Sequence, residues 1–174
     1  MLKGNERREK IISCLTRIDQ PVSASVFAKE FGVSRQVVVG DIALLRAAAH
    51  PIQATSRGYV LIQNDLEIGK EYKIVCKHLP EETSEELFLL VDLGVEIKDV
   101  SVEHQLYGEI VGNLSLKSKQ DVSDFLTKAE NDQVTLLSDL TGGVHLHTIR
   151  CRDGAHFLEV KRAMRQATFL YEDN

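Results

Sequence analysis

The chain has 174 residues, 43% of them hydrophobic and 27% charged, enough apolar material for one or two small packed domains. No apolar run approaches the ~20 residues of a membrane span. The charged opening MLKGNERREK lacks the apolar stretch of a signal peptide. Three widely spaced cysteines without a CxxC (Cys14, Cys76, Cys151) fit a reduced, cytoplasmic setting. The net charge of −5 hides a split. Residues 1–62 carry nine Lys/Arg against five Asp/Glu (+4), and residues 63–174 carry twelve against twenty-one (−9). A basic head on an acidic body fits a DNA-binding module joined to something else.

In chain order, residues 6–19 predict a first helix with Ile11, Leu15 and Ile18 on one face, ended by Pro21. Ser23 can cap a second helix whose Val26, Phe27 and Phe31 share a side. Gly32 supplies the turn, where a left-handed backbone costs little. Ser34 can cap a third helix, to about Ala49, with Val38, Ile42 and Leu45 at i, i+4 and i+7 facing the core. That spacing leaves Arg35, Gln36, Val39 and Ala43 pointing outward, and an outward Arg-Gln pair at such a helix start suits major-groove readout. Gly40, costly inside a helix, suggests close approach of another backbone, DNA included. After Pro51, extended pieces Ile52–Ala54 and Tyr59–Ile62 flank an Arg57-Gly58 turn. Three helices and a hairpin make a winged helix-turn-helix, with Thr55, Ser56 and Arg57 at a wing tip reaching phosphates or the minor groove. The DNA-contacting set is therefore Ser34, Arg35, Gln36, Val39, Arg46 and Arg57. Helix-turn-helix shapes also occur in proteins that never touch DNA, and on that alternative Arg35 is a solvated surface residue.

The expected boundaries are 1–62 for this module, 63–71 for a polar linker and 72–174 for a second domain. There, Tyr72–His78 reads as a strand, Pro80-Glu81-Glu82 opens a helix carrying Leu87, Leu90 and Val91, and Gly94 ends it. Val95–His104 and Glu109–Leu116 read as strands joined through Tyr107-Gly108. Ser118 and Asp121 make a capping-box-like start to a helix with Val122, Phe125, Leu126 and Ala129 in one stripe. Thr135–Leu137 and Val144–Ile149 look extended around the Thr141-Gly142-Gly143 turn. A last helix covers about Asp153–Gln166, and Thr168–Tyr171 reads as a short strand. The order β-α-β-β-α-β with a trailing helix and strand predicts an α+β sandwich of one sheet and one helical layer.

Histidine placement is the second chemical signal. His145 and His147, two apart on a strand, project from one face, and Gly142-Gly143 lets the backbone bend close to what they hold. His78 ends the first strand, and Glu86 lies on the helix that follows. Together they make a set of three imidazoles and one carboxylate, suited to zinc, nickel or iron. An ordinary polar strand face is the alternative for the His pair. His104 either lines the same pocket or is a strand-end histidine bonded to backbone. His50 and His156 look unremarkable, the latter at the start of a surface helix.

The strings KEFGVSRQVVVGDIALLRA, ATSRGYVL, VEHQLYGEI and GGVHLHTI together resemble the NiaR (YrxA) family of bacterial niacin-responsive repressors. These join a winged helix to a three-histidine (3H) domain, and the resemblance covers essentially the whole chain. The helix-turn-helix half is shared with biotin- and sugar-repressor families; the last two strings are the specific ones. The resemblance implies an HPr-like open-faced sandwich for the second domain, and metal ligation, one divalent ion per chain, by the residues matching the family's ligands: His78, Glu86, His145 and His147. It further implies nicotinic acid as co-repressor and double-stranded operator DNA upstream of NAD-synthesis or niacin-uptake genes as target. If the metal holds nicotinate, the flanking sheet residues His104 and Tyr107 are expected to contact its ring. A homodimer would set two recognition helices about one DNA turn apart, roughly 34 Å. Two other readings stand beside this one: a metal-dependent hydrolase acting on a small molecule, or a regulator with a purely structural metal. Against the first, no general base accompanies the His-x-His strand, and a helix-turn-helix would be superfluous.

Overall fold

The computed structural model describes residues 2–62 and 69–172, and the chain divides into two compact units, Met1–Leu66 and Glu67–Asn174. Most of the predicted linker lies outside the described residues; its last two, Lys70 and Glu71, already belong to a strand.

The first unit holds α1 (Gly4–Arg17), α2 (Ala24–Phe31), α3 (Arg35–Ala47) and a hairpin of β1 (Ile52–Thr55) and β2 (Gly58–Leu61). Ser23 caps α2 by accepting from Val26 N–H, and Ser34 caps α3 by accepting from Val37 N–H. Between them Gly32 takes a left-handed φ of 66°. Ile11, Leu15, Phe27, Phe31, Val38, Ile42 and Leu45 form the buried centre. Each fully buried side chain among them contributes roughly 1.5–3 kcal/mol. Two residues predicted for this core lie outside it. Val26 is 54% exposed, because Ala24 and Ala28 take the inward positions on α2. Ile18 falls past the end of α1 and is 41% exposed. The hairpin is anchored by Val22, whose N–H and C=O pair with those of Tyr59 at 3.0 and 2.9 Å. Gly58 permits this approach: a Cβ there would stand 2.5 Å from the Val22 carbonyl carbon. Around Gly40 nothing lies within 4 Å of where a Cβ would be, so no backbone of this unit explains that glycine.

The second unit runs β3 (Lys70–Lys77), α4 (Thr83–Asp92), β4 (Glu96–His104), β5 (Gly108–Leu116), α5 (Lys119–Asn131), β6 (Val144–Cys151) and α6 (Gly154–Gln166). The sheet order is β3-β6-β4-β5, every neighbour antiparallel. It is an α+β fold. Along β6 alternate side chains are buried (His145, His147, Ile149, Cys151), which marks one covered face. Ile74, Leu87, Leu90, Ile97, Leu116, Val160 and Met164 fill the space beneath α4 and α6.

Three local expectations change here. Thr135–Leu137 is not a strand: it pairs with none of the four sheet strands, and the chain instead makes a 3-10 turn over Leu137–Thr141, closed by Gly142 at φ 62°. Thr168–Tyr171 contributes only a single bridge, Leu170 to Cys76. His156 is buried rather than superficial. Its Nε2 donates to the Leu93 carbonyl (2.7 Å) and its Nδ1 accepts from Arg152 N–H (3.1 Å), so the imidazole ties α6 to the end of α4.

Candidate metal centre and nucleic-acid interface

Strand register builds the cluster in the second unit. Cys76 stands opposite His145 and Ile74 opposite His147 on the covered face, and His78 follows Cys76 by two residues with the same orientation. Gly143 lets the two chain segments close up. Its φ is +94°, and a Cβ would collide with the His78 carbonyl oxygen. From above the sheet, α4 presents Glu86, 1% exposed, on the stripe that also carries Leu87 and Leu90.

The four predicted side chains come together. His78 Nε2 is 2.7 Å from Glu86 Oε2, and His145 Nε2 is 3.2 and 3.3 Å from the two carboxylate oxygens. His147 Nε2 is 3.5 Å from Oε2 and, although buried, makes no hydrogen bond. Each ring also turns its Nδ1 to a backbone carbonyl: His78 to Leu79 (2.8 Å), His145 to Gly143 (2.9 Å) and His147 to Asp99 (2.7 Å). A carbonyl can only accept, so every Nδ1 carries a proton, and a neutral ring then turns its Nε2 lone pair toward the Glu86 carboxylate. Lone pairs facing one another in a dry site repel, and a cation at their centre removes the conflict. Either a proton on an imidazole or a metal ion serves.

The titration behaviour expresses the same conflict. Burial would raise Glu86, yet His147, His145 and His78 hold it well below the usual carboxylate range. Burial would lower His147 and His78, yet the Glu86 carboxylate holds both above the ordinary imidazole value. Donors around a zinc-type ion at ~2.0–2.2 Å sit roughly 3–3.5 Å from one another, and the His145 and His147 separations fall in that range. Carbonyl-fixed Nδ1–H groups are also the usual outer support of metal-binding histidines. The residues present therefore fit a divalent ion. Among the described residues, Cys76, Glu86 and His145 also form a buried group whose ligand atoms lie within 4.8 Å of one another. The sequence signal for that extra thiol was available: Cys76-Lys-His78 has the same i, i+2 spacing as His145-Leu-His147.

His104 and Tyr107 do not join this cluster. His104 follows Val100, the partner of His147, by four residues, or roughly 13 Å along β4. Its Nδ1 accepts from the N–H groups of Leu106 (3.2 Å) and Tyr107 (3.4 Å), closing the β4–β5 turn, and the Tyr107 ring lies 5.1 Å away, 72% exposed.

In the first unit, Ser34 at the cap of α3 and Arg35, Gln36 and Arg46 on it are exposed, while Val39 is half-buried against the core. Arg57 is half-buried at the hairpin turn, where Thr55 Oγ1 accepts from its N–H and donates to the Gly58 carbonyl. A feature missed in the sequence holds α3 in place. Asp41, 4% exposed, accepts from Arg7 Nε at 2.7 Å and from Arg8 at 3.3 Å, both on α1. Asp41 looks like an ordinary helix-surface acid in the sequence, and only the packing of α1 reveals its partners.

Among known proteins, the model of an HTH domain matches residues 7–60 and that of the 3H domain matches residues 71–173. The chain is 38% identical over 174 residues to "Transcription repressor NadR" of Bacillus subtilis, covering 99% of this chain and 97% of that protein. It is 42% identical over 168 residues to "Probable transcription repressor NiaR" of Thermotoga maritima, covering 97% and 95%. No helix among the described residues is long and apolar enough to cross a membrane.

Proposed function

The chain belongs to the NiaR/NadR family of transcription repressors, and from that premise we propose that it is a metal-assisted niacin sensor acting on DNA. It is a DNA-binding repressor and not an enzyme, so the hydrolase alternative is set aside. In this reading a homodimer holds operator DNA upstream of NAD-synthesis or niacin-uptake genes. Arg35 and Gln36 read base edges, Ser34, Val39 and Arg46 flank them along α3, and Arg57 steadies the wing on the backbone. Nicotinic acid is the co-repressor.

His78, Glu86, His145 and His147 hold one divalent transition ion, nickel, zinc or iron. The observation that carries this is the set of three Nδ1–H groups fixed on carbonyls while their Nε2 atoms converge on Glu86. When bound, the ion would supply coordination positions able to accept a carboxylate or a pyridine nitrogen, the two donor groups of nicotinate. Glu86 offsets the ion's charge inside a buried interior, and the three carbonyls keep the imidazoles aimed through their Nδ1–H groups. To act as a switch, nicotinate must favour the DNA-competent state by about 1–3 kcal/mol, or 5- to 150-fold in affinity.

The near-complete burial of Glu86 and His147 favours a second reading, in which the ion is structural only. Fluorescence anisotropy on candidate operator DNA at fixed salt, with and without nicotinic acid and after chelation, separates the two. Binding that tightens with nicotinate and loses that response on chelation supports the sensor. Binding indifferent to nicotinate refutes it and leaves a structural site.

A further inference from the structure

We propose that the Cys76 thiol is an additional ligand of the metal centre, so that the ion is held by a thiolate as well as by imidazole and carboxylate. This rests on the reading that the centre holds a metal. Strand β3 sends Cys76 and His78 to the face that β6 occupies with His145 and His147, and the register sets Cys76 directly across from His145. Cys76 is fully buried and reduced, and its Sγ, a Glu86 oxygen and a His145 nitrogen all lie within 4.8 Å of one another. Around a tetrahedral zinc-type ion, sulfur at ~2.3 Å and nitrogen or oxygen at ~2.1 Å stand roughly 3.6 Å apart, so the three donors seat on one ion by closing in by up to roughly 1 Å.

Binding breaks the S–H bond, forms the sulfur–metal bond and sends the proton to solvent, with no change of oxidation state. The consequence is selectivity: a thiolate donor biases the site toward zinc, nickel, cobalt or ferrous iron and away from magnesium, calcium and manganese. Within the second unit the other cysteine cannot play this part: Cys151 lies six residues beyond His145, roughly 20 Å along β6.

The test is a cobalt(II) titration of the chelated full-length chain under reducing, anaerobic conditions. Visible d–d bands report binding, and a near-ultraviolet sulfur-to-cobalt charge-transfer band reports thiolate ligation. Both are expected to saturate together at one equivalent. Cys76→Ser should keep the visible bands and lose the near-ultraviolet one, while Cys151→Ser keeps both. Visible bands without a charge-transfer band in the wild type overturn this inference and leave the metal reading standing. Absence of any cobalt spectrum overturns the metal reading and this inference with it. Because the wild-type spectrum already decides, the test does not depend on the variants folding; should Cys76→Ser not fold, Cys76→Ala takes its place.

Discussion

At the candidate metal centre Gly143 packs closely against the backbone of His78, and Gly143→Ala perturbs this approach directly. At φ +94° any side chain carries left-handed strain of about 1–2 kcal/mol, and the added methyl overlaps the His78 carbonyl. The obstacle is backbone, so relief requires the His78 segment to move by roughly 1 Å, at a further cost of about 1–3 kcal/mol. The smaller entropy of the unfolded alanine chain offsets about 0.4–1 kcal/mol. The net expectation is a loss of about 1–4.6 kcal/mol in the second unit. The same shift displaces His78 and the Gly143 carbonyl that orients His145, so metal affinity should fall roughly ten- to hundredfold. Gly142→Ala is the matched control: its φ is 62°, nothing lies within 4 Å of the new methyl, and only the left-handed strain applies. Zinc or nickel binding by isothermal titration calorimetry, with urea unfolding of the chelated proteins, measures both quantities. Equal metal affinity in the two variants would refute the argument that this close approach positions His78.

Three further outcomes follow from the geometry. His145→Ala combined with His147→Ala should abolish the effect of nicotinate in the anisotropy assay while basal DNA affinity changes little; a surviving nicotinate response would sink the metal-centred sensor. Arg35→Ala and Gln36→Ala should each weaken operator binding by about 1–3 kcal/mol and leave nicotinate affinity unchanged. An equal loss on random DNA would mean that these side chains touch only phosphate. Asp41→Ala should destabilise the first unit by about 2–3 kcal/mol in urea unfolding, less than a fully buried pair because Arg7 and Arg8 keep some access to water. Unchanged stability would show that the α1–α3 ion pair contributes nothing net.

Local sequence determined the elements whose causes are local. The serine caps at 23 and 34, the left-handed turn at Gly32 and the Ser118–Asp121 box each need only a few neighbouring residues, and they stand where the pattern put them. The period-2 placement of His145 with His147 is legible for the same reason. Tertiary structure decided everything that depends on a partner far along the chain. Thr135–Leu137 has strand-like composition, but among the described residues it pairs with no strand of the sheet and leads instead into the 3-10 turn at Leu137–Thr141. His156 looks superficial until the Leu93 carbonyl meets it, and Asp41 looks solvated until Arg7 and Arg8 fold over it. The convergence of three imidazoles on Glu86, with Cys76 beside them, requires the antiparallel register of β3 with β6, an approach of Glu86 and His145 across a sequence separation of 59, and a glycine where the two segments nearly touch. Residue type and spacing state what each side chain is able to do. Which of them meet is set by pairing and burial over long chain separations, a cooperative property of the folded whole rather than of any segment.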